Sequence, residues 1–269
     1  MTDSAMLSPM MGRSKGMQGG GGGIVESEGF RALIEHIERR SRAYVVVFAL
    51  GVVLGFPVAE ELIEWLIGAE GFVPDGVQLI ILQPLEAILL QLRIAVQIGF
   101  ILLALVIIAD IAMKVDFEAA GEIRRNMNIA RLAFSAVASA VLGVMGIAYA
   151  HEVLIPFLLQ YLAEDAAASN LESTWSLQSW VGFVSGLYFS SLVGFQAPLV
   201  VILLIRADLI DRRLIVENRG VLWFIGLAIG ALLSPPDPVS MFLVGGPILV
   251  LMELALIYDR VWRGANPRR

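Results

Sequence analysis

The stretch IAVQIGFILLALVIIADIAM, residues 94–113, constrains this chain more than any other feature. It is twenty residues long and carries a single charge, Asp110. About twenty apolar residues in a helix match the ~30 Å hydrocarbon core of a bilayer. Comparable runs occupy 44–66, 129–150 and 181–205, and two shorter ones cover 221–233 and about 240–258. The chain is 58% hydrophobic and only 16% charged, against about 25% charged for a soluble domain. The fold class this predicts is all-α and polytopic, with six transmembrane helices, two of them short. The fifth run, thirteen residues, makes only about 20 Å of helix, and local thinning of the bilayer would relieve the mismatch. Gly245, Gly246 and Pro247 interrupt the sixth.

The charges sort by side. With six spans, the N-terminal tail, 114–128, 206–219 and 259–269 share one face. Those segments and their flanks hold every one of the 19 Lys and Arg residues except Arg93. The opposite face collects Glu60, Glu61, Glu64, Glu70, Asp75, Glu86, Glu152, Glu164, Asp165, Glu172 and Asp237. By the positive-inside rule both termini are cytoplasmic. A re-entrant hairpin for runs five and six would place Asp237 at bilayer depth, where a carboxylate is costly, so two spans joined by an external corner are preferred. In that corner, SPPDPVS, Pro235 and Pro236 stop one helix, while Asp237 caps the next with Pro238 at its first position.

Residues 1–28, with five consecutive glycines, read as a flexible tail, and 29–259 as the membrane domain. Residues 260–269 form a basic tail. From Phe30, apolar residues at helical spacing predict an amphipathic surface helix that leads into the first span. Pro57 and the acids after it mark that span's exit. Trp175, Trp180 and Tyr188 are expected in an outer aromatic belt.

Catalytic chemistry is sparse. There is no cysteine, and the two histidines, His36 and His151, are far apart. No zinc motif and no phosphate-binding glycine loop occurs. No enzyme, metal, cofactor or nucleic-acid role is expected. Ser135, Ser139 and Gly143, spaced by four, predict a face for close helix packing. Asp110, near the inner end of its run, is expected either to snorkel or to pair with a cytoplasmic base. Gln196 and Glu253, polar residues within apolar runs, are candidates for function. A helix–helix hydrogen bond is an equally good account of Gln196.

The order of these features resembles the TatC family, the multispanning receptor of the twin-arginine translocase, over about 30–258. Glu38-Arg39-Arg40-Ser41-Arg42 is similar to the family's E-L-R-x-R before span one. Glu122, Arg124 and Arg125 resemble its cytoplasmic Glu-basic loop. Phe195-Gln196-Ala197-Pro198 resembles F-E-x-P, Arg219 opens span five, and Ser234-Pro235-Pro236-Asp237 resembles T-P-P-D. Pro247 and Glu253 fall in span six as in the family. The chain departs from the pattern at Gln196, where the family has Glu, and has no proline between Pro84 and Pro156.

The resemblance implies a concave six-helix bundle in the cell membrane that recognises twin-arginine signal peptides of folded cargo. It implies assembly with TatA- and TatB-like single-span proteins, transport driven by the proton-motive force, and leaves self-association open. Glu38, Arg40, Arg42 and Glu122 are then expected to bind the signal peptide. Two guanidinium groups are best held by carboxylates, although Glu38 could instead pair with Arg42 one turn on. Gln196, Pro198, Arg219, Asp237 and Glu253 are expected to contact a partner helix or substrate. Two other functions fit the sequence: a small solute transporter or channel subunit using Glu253 or Asp110, and a membrane assembly factor of the same fold.

Overall fold

The computed structural model describes residues 28–68, 78–114, 124–168, 174–207, 209–210, 212–233 and 238–265. The glycine-rich segment, Glu122 and Ser234 to Asp237 therefore lie outside the described residues.

Helix α1, Glu28–Gly68, is a single 41-residue helix. The amphipathic segment and the first span are thus continuous, and the helix runs through Pro57 for another eleven residues. A proline inside a membrane helix costs one backbone bond and is tolerated where neighbours compensate. Helix α2, Glu86–Lys114, begins eight residues before the apolar run. Glu86 and Arg93 hid those turns from a count of apolar residues.

Helix α3, Arg124–Tyr149, passes through a π-helical turn, Ala150–Leu154, into α4, Ile155–Ala168. Helix α5, Leu177–Gly194, breaks at Phe195 and Gln196 and resumes as α6, Ala197–Arg206. After the short α7, Arg212–Glu217, come α8, Arg219–Leu233, and α9, Pro238–Ala265. Helix α9 starts at Pro238, whose fixed φ and absent N–H suit a first helical position.

Five of these helical stretches are long and apolar enough to span a bilayer: Ile37–Gly68, Glu86–Met113, Leu132–Ala168, Leu177–Arg206 and Met241–Val261. Helix α8, at 15 residues, is about 22 Å long and is the short member of a six-span bundle. Large apolar side chains such as Val53, Leu54, Val137, Val144 and Phe224 stand exposed on helix after helix. In water such a surface would drive aggregation; against lipid it is the expected outer face.

Two three-residue strands, β1, Gln78–Ile80, and β2, Thr174–Ser176, pair in parallel with Leu79 opposite Trp175. The all-α reading did not include them, because three residues are too few to show an alternating pattern. They cover the largest core cluster, where Ala59 and Leu66 of α1, Leu90 and Ile94 of α2, Leu154 and Leu158 near the π turn, and Val181 and Val184 of α5 meet. Trp180 belongs to this core, only 2% exposed, and Trp175 packs against it. The expected aromatic belt is therefore wrong for Trp180, which faces inward because the β1–β2 ribbon closes over that end.

Helices α1 and α2 lie side by side at very short range. A Cβ built on Gly51 would sit 2.8 Å from the Gly99 Cα. Only glycine allows two backbones to approach so closely, and membrane helices rely on such contacts because lipid offers no hydrophobic drive for them to associate.

Candidate functional site

Three groups of polar residues join helices among the described residues. The first joins α1 to α2. Asp110, 5% exposed, takes Arg40 Nη1 at 2.5 Å on Oδ1 and the Tyr44 hydroxyl at 2.6 Å on Oδ2. Arg40 and Tyr44 are one helical turn apart and so share a face of α1. A carboxylate this deep needs both a counter-charge and a donor for its second oxygen, and it has them. Of the two expectations for Asp110, pairing with a base is the one met, and Arg40, itself half exposed, is engaged in that pair.

Around this clasp, α1 displays Glu38, Arg39 and Arg42, all exposed. Among the described residues no hydrogen bond or ion pair engages Glu38. The one-turn pair with Arg42 is not formed, so this carboxylate is open to an outside cation.

The second group joins α3 to the broken α5–α6 helix. Pro198 stands in the first turn of α6. It has no N–H to return to Gly194, so the helix cannot run on unbroken. The backbone tightens instead, with Gln196 N donating to Val193 O at 3.0 Å, and regular bonding resumes from Val200 N to Gln196 O at 3.0 Å. Gln196, buried at this kink, reaches across to α3. The Ser139 hydroxyl donates to Gln196 Oε1 at 2.8 Å, and Gln196 Nε2 donates to the Ser139 carbonyl at 3.2 Å. A longer bond of 3.4 Å runs from Nε2 back to the Leu192 carbonyl. The helix–helix hydrogen bond is thus formed, and the small face of α3 makes room for it. A Cβ on Gly143 would lie 3.1 Å from Leu192, and one on Gly146 only 2.7 Å from the Ser191 carbonyl.

Gln196 also borders an apolar cavity of about 470 Å³, with Ile101, Ile108, Leu132, Ser135 and Gly143 among its walls. A second cavity, about 480 Å³, lies toward the ribbon end among Leu62, Trp65, Gln97, His151 and Tyr188. Ile101, Ile147 and Leu192 line both, so the two cavities adjoin along α2, α3 and α5. His151 Nδ1 is 2.8 Å from the Tyr188 hydroxyl in the wall of the second. The π turn adds a residue to the helix and turns that histidine toward α5.

The third group ties α6, α7, α8 and α9. Trp223 Nε1 donates to Glu253 Oε1 at 2.9 Å between α8 and α9. Asp259, 1% exposed near the end of α9, forms an ion pair with Arg212 of α7 at 3.2 Å. The Arg206 guanidinium lies 5.8 Å from the centre of the Tyr258 ring, a cation–π contact. Next to these, exposed Arg213 bonds Glu217 one turn on at 2.6 Å, which raises the arginine's pKa further. Arg219 is exposed at the start of α8.

Among the described residues, the proposed ones are thus not gathered in one place. Glu38, Arg40 and Arg42 share α1, Gln196 and Pro198 share the kink, and Arg219 and Glu253 belong to the α8–α9 hairpin. Tyr44, Ser139, Arg212 and Asp259 were missed. For Tyr44 a signal was present, since it follows Arg40 by one turn. Ser139 was read only as a small residue.

Fold and site together define a class: a multi-span helical membrane protein whose embedded polar groups join helices beside apolar cavities. Among the described residues no three His, Asp or Glu side chains gather to hold a metal. The sequence model of the Sec-independent protein translocase protein (TatC) matches residues 32–247, and this chain belongs to the TatC family. It is 26% identical over 230 residues to the Sec-independent protein translocase protein TatC of Halalkalibacterium halodurans, covering 84% of this chain and 87% of that one. It is 30% identical over 227 residues to the chloroplastic protein of Oryza sativa subsp. japonica, covering 82% of this chain and 60% of the other. A crystal structure of the twin-arginine translocase receptor TatC superposes with a TM-score of 0.67 at 22% identity, over 85% of this chain and 98% of that one. That likeness establishes a shared fold.

Proposed function

We propose that this protein is the receptor subunit of a twin-arginine translocase. It lies in the cell membrane with both termini cytoplasmic and binds twin-arginine signal peptides at the cytoplasmic face. TatA- and TatB-like single-span proteins assemble with it, and the proton-motive force drives export of folded cargo. The observation that carries this reading is the open carboxylate of Glu38, exposed on α1 with no partner among the described residues, at the position the family resemblance marks. Near a membrane surface a carboxylate–guanidinium pair gains from reduced screening. Arg40 holds the segment in place through Asp110, Arg42 shapes the charge around Glu38, and Glu122 supplies a second carboxylate. Gln196 and Pro198 set the kink beside the first apolar cavity, where an inserted signal peptide or partner helix would rest. Arg219 and Glu253, on α8 and α9, are offered to partner helices, and Asp237 is a further proposed contact.

A proton-coupled solute carrier would need a free intramembrane acid. Asp110 is clasped by Arg40 and Tyr44, and Glu253 accepts from Trp223, which favours the receptor over the carrier.

The test is photo-crosslinking of a twin-arginine peptide to the full chain in membranes. Glu38→Ala is expected to abolish the adduct while leaving folding intact, since a surface change away from packing costs within about 0.5 kcal/mol. Undiminished crosslinking would remove Glu38 from the site.

A further inference from the structure

Arg93 is the one base that the charge pattern leaves on the acidic side of the bundle, and it is exposed. Among the described residues no hydrogen bond or ion pair engages it. Its side chain is nevertheless held in a defined place. A Cβ on Gly182 of α5 would sit 2.6 Å from Arg93 Nη1, and one on Gly186 would be 3.9 Å from Nη2. The two glycines, one turn apart, form a shallow seat on α5 that any larger residue would fill. The guanidinium therefore lies across the α2–α5 seam.

Depth gives the chemistry. Helix α2 has 29 residues and is about 43 Å long, so a hydrocarbon core of ~30 Å leaves roughly 6 Å of helix beyond it at each end. Arg93 is seven residues in from the helix start, about 10 Å along the axis. Its Cα thus falls just inside the hydrocarbon boundary. Helical side chains lean toward the N-terminus, here toward the ribbon end, and a long basic chain reaches the interface from such a depth. The group available at that level is a phosphate. A guanidinium binds phosphate through paired N–H bonds, and a bare arginine at the boundary without a counter-ion is otherwise costly.

We propose that Arg93, seated on Gly182 and Gly186, binds the phosphate of a phospholipid in the leaflet at the ribbon end of the bundle. An anionic head group such as phosphatidylglycerol is preferred over phosphatidylethanolamine, whose ammonium competes with the guanidinium for the same oxygens. The bound lipid fills the α2–α5 seam and fixes the depth of that end. This site is independent of signal-peptide recognition, so it stands or falls separately from the receptor reading.

The test is native mass spectrometry of the full purified chain titrated with phosphatidylglycerol, phosphatidylethanolamine or inorganic phosphate. The wild-type chain should retain one phosphatidylglycerol through activation, and Arg93→Gln should weaken retention about tenfold or more. Arg93→Lys should keep part of the binding, because the charge remains. Gly182→Ala should weaken it with the arginine still present, because the new methyl displaces the guanidinium. Equal retention by wild type and Arg93→Gln would overturn the proposal, as would equal loss in Arg93→Lys and Arg93→Gln. Competition by millimolar inorganic phosphate would assign the site to a free anion and also overturn it. A photo-reactive residue at position 93, in membranes holding the whole complex, should give lipid adducts, and adducts to protein alone would replace the lipid with a partner chain.

Discussion

Asp110 and Gln196 are both polar, both buried at 5% exposure, and both within spans, yet the bundle treats them differently. Asp110 is charged and is surrounded by its compensation: a guanidinium on one oxygen and a phenol on the other. Gln196 is neutral and is satisfied by one serine and the carbonyls near it, and it borders open apolar volume. A charge at depth forces neighbouring helices to close on it. An amide needs no counter-charge, so one serine on α3 suffices and open volume remains at its side. The Asp110 contact is therefore the region that holds the fold, and the Gln196 kink is the region where another chain can fit.

Three substitutions separate these roles. The largest effect is expected from Arg40→Leu, which takes the guanidinium away from buried Asp110. Breaking a fully buried pair costs 3–5 kcal/mol. Arg40 is half exposed, so a loss of about 2–3 kcal/mol is expected, read as lowered thermal stability in detergent. Adding Asp110→Leu to the same chain should restore most of it, and a double variant as unstable as the single would show that the pair is not what joins α1 to α2.

Gly51→Ala should come next. Its Cβ would meet the Gly99 backbone at 2.8 Å, and overpacking of this kind costs about 1–3 kcal/mol. Unchanged stability would mean that α1 and α2 can separate freely, against the close contact described above. Gln196→Leu should have the smallest effect on stability, since hydrogen bonds between membrane helices average only about 0.6 kcal/mol. Its effect should appear instead in export of a twin-arginine reporter, because the leucine reshapes the wall of the cavity. A large stability loss with normal export would reverse the comparison and make Gln196 a structural clasp.

The sequence carried the framework unevenly. Runs of apolar residues marked all six spans, and a helix start was readable at Pro238. Helix ends were less legible wherever a charge or proline interrupted a run that the backbone continued. Pro57 did not end α1, and Glu86 with Arg93 masked the first turns of α2. Trp180 was assigned to an interface because tryptophan favours one, whereas the β1–β2 ribbon buries it. Among the site residues, the composition pointed to Asp110, Gln196 and Glu253 as embedded polar groups. It did not pair Ser139 with Gln196, which are 57 residues apart in sequence, nor Arg212 with Asp259.

What the sequence determined alone is that this chain lives in a membrane, how many times it crosses, and which positions within the spans carry polar atoms. Those follow from the transfer cost of each side chain, which is a local property. Only the tertiary structure decided which polar atoms are already satisfied. That depends on which helices meet and at what height, set by glycine contacts such as Gly51 with Gly99 and by the kink at Pro198. The same arrangement left Glu38 and Arg93 without partners among the described residues, and the two binding proposals begin from those open charges.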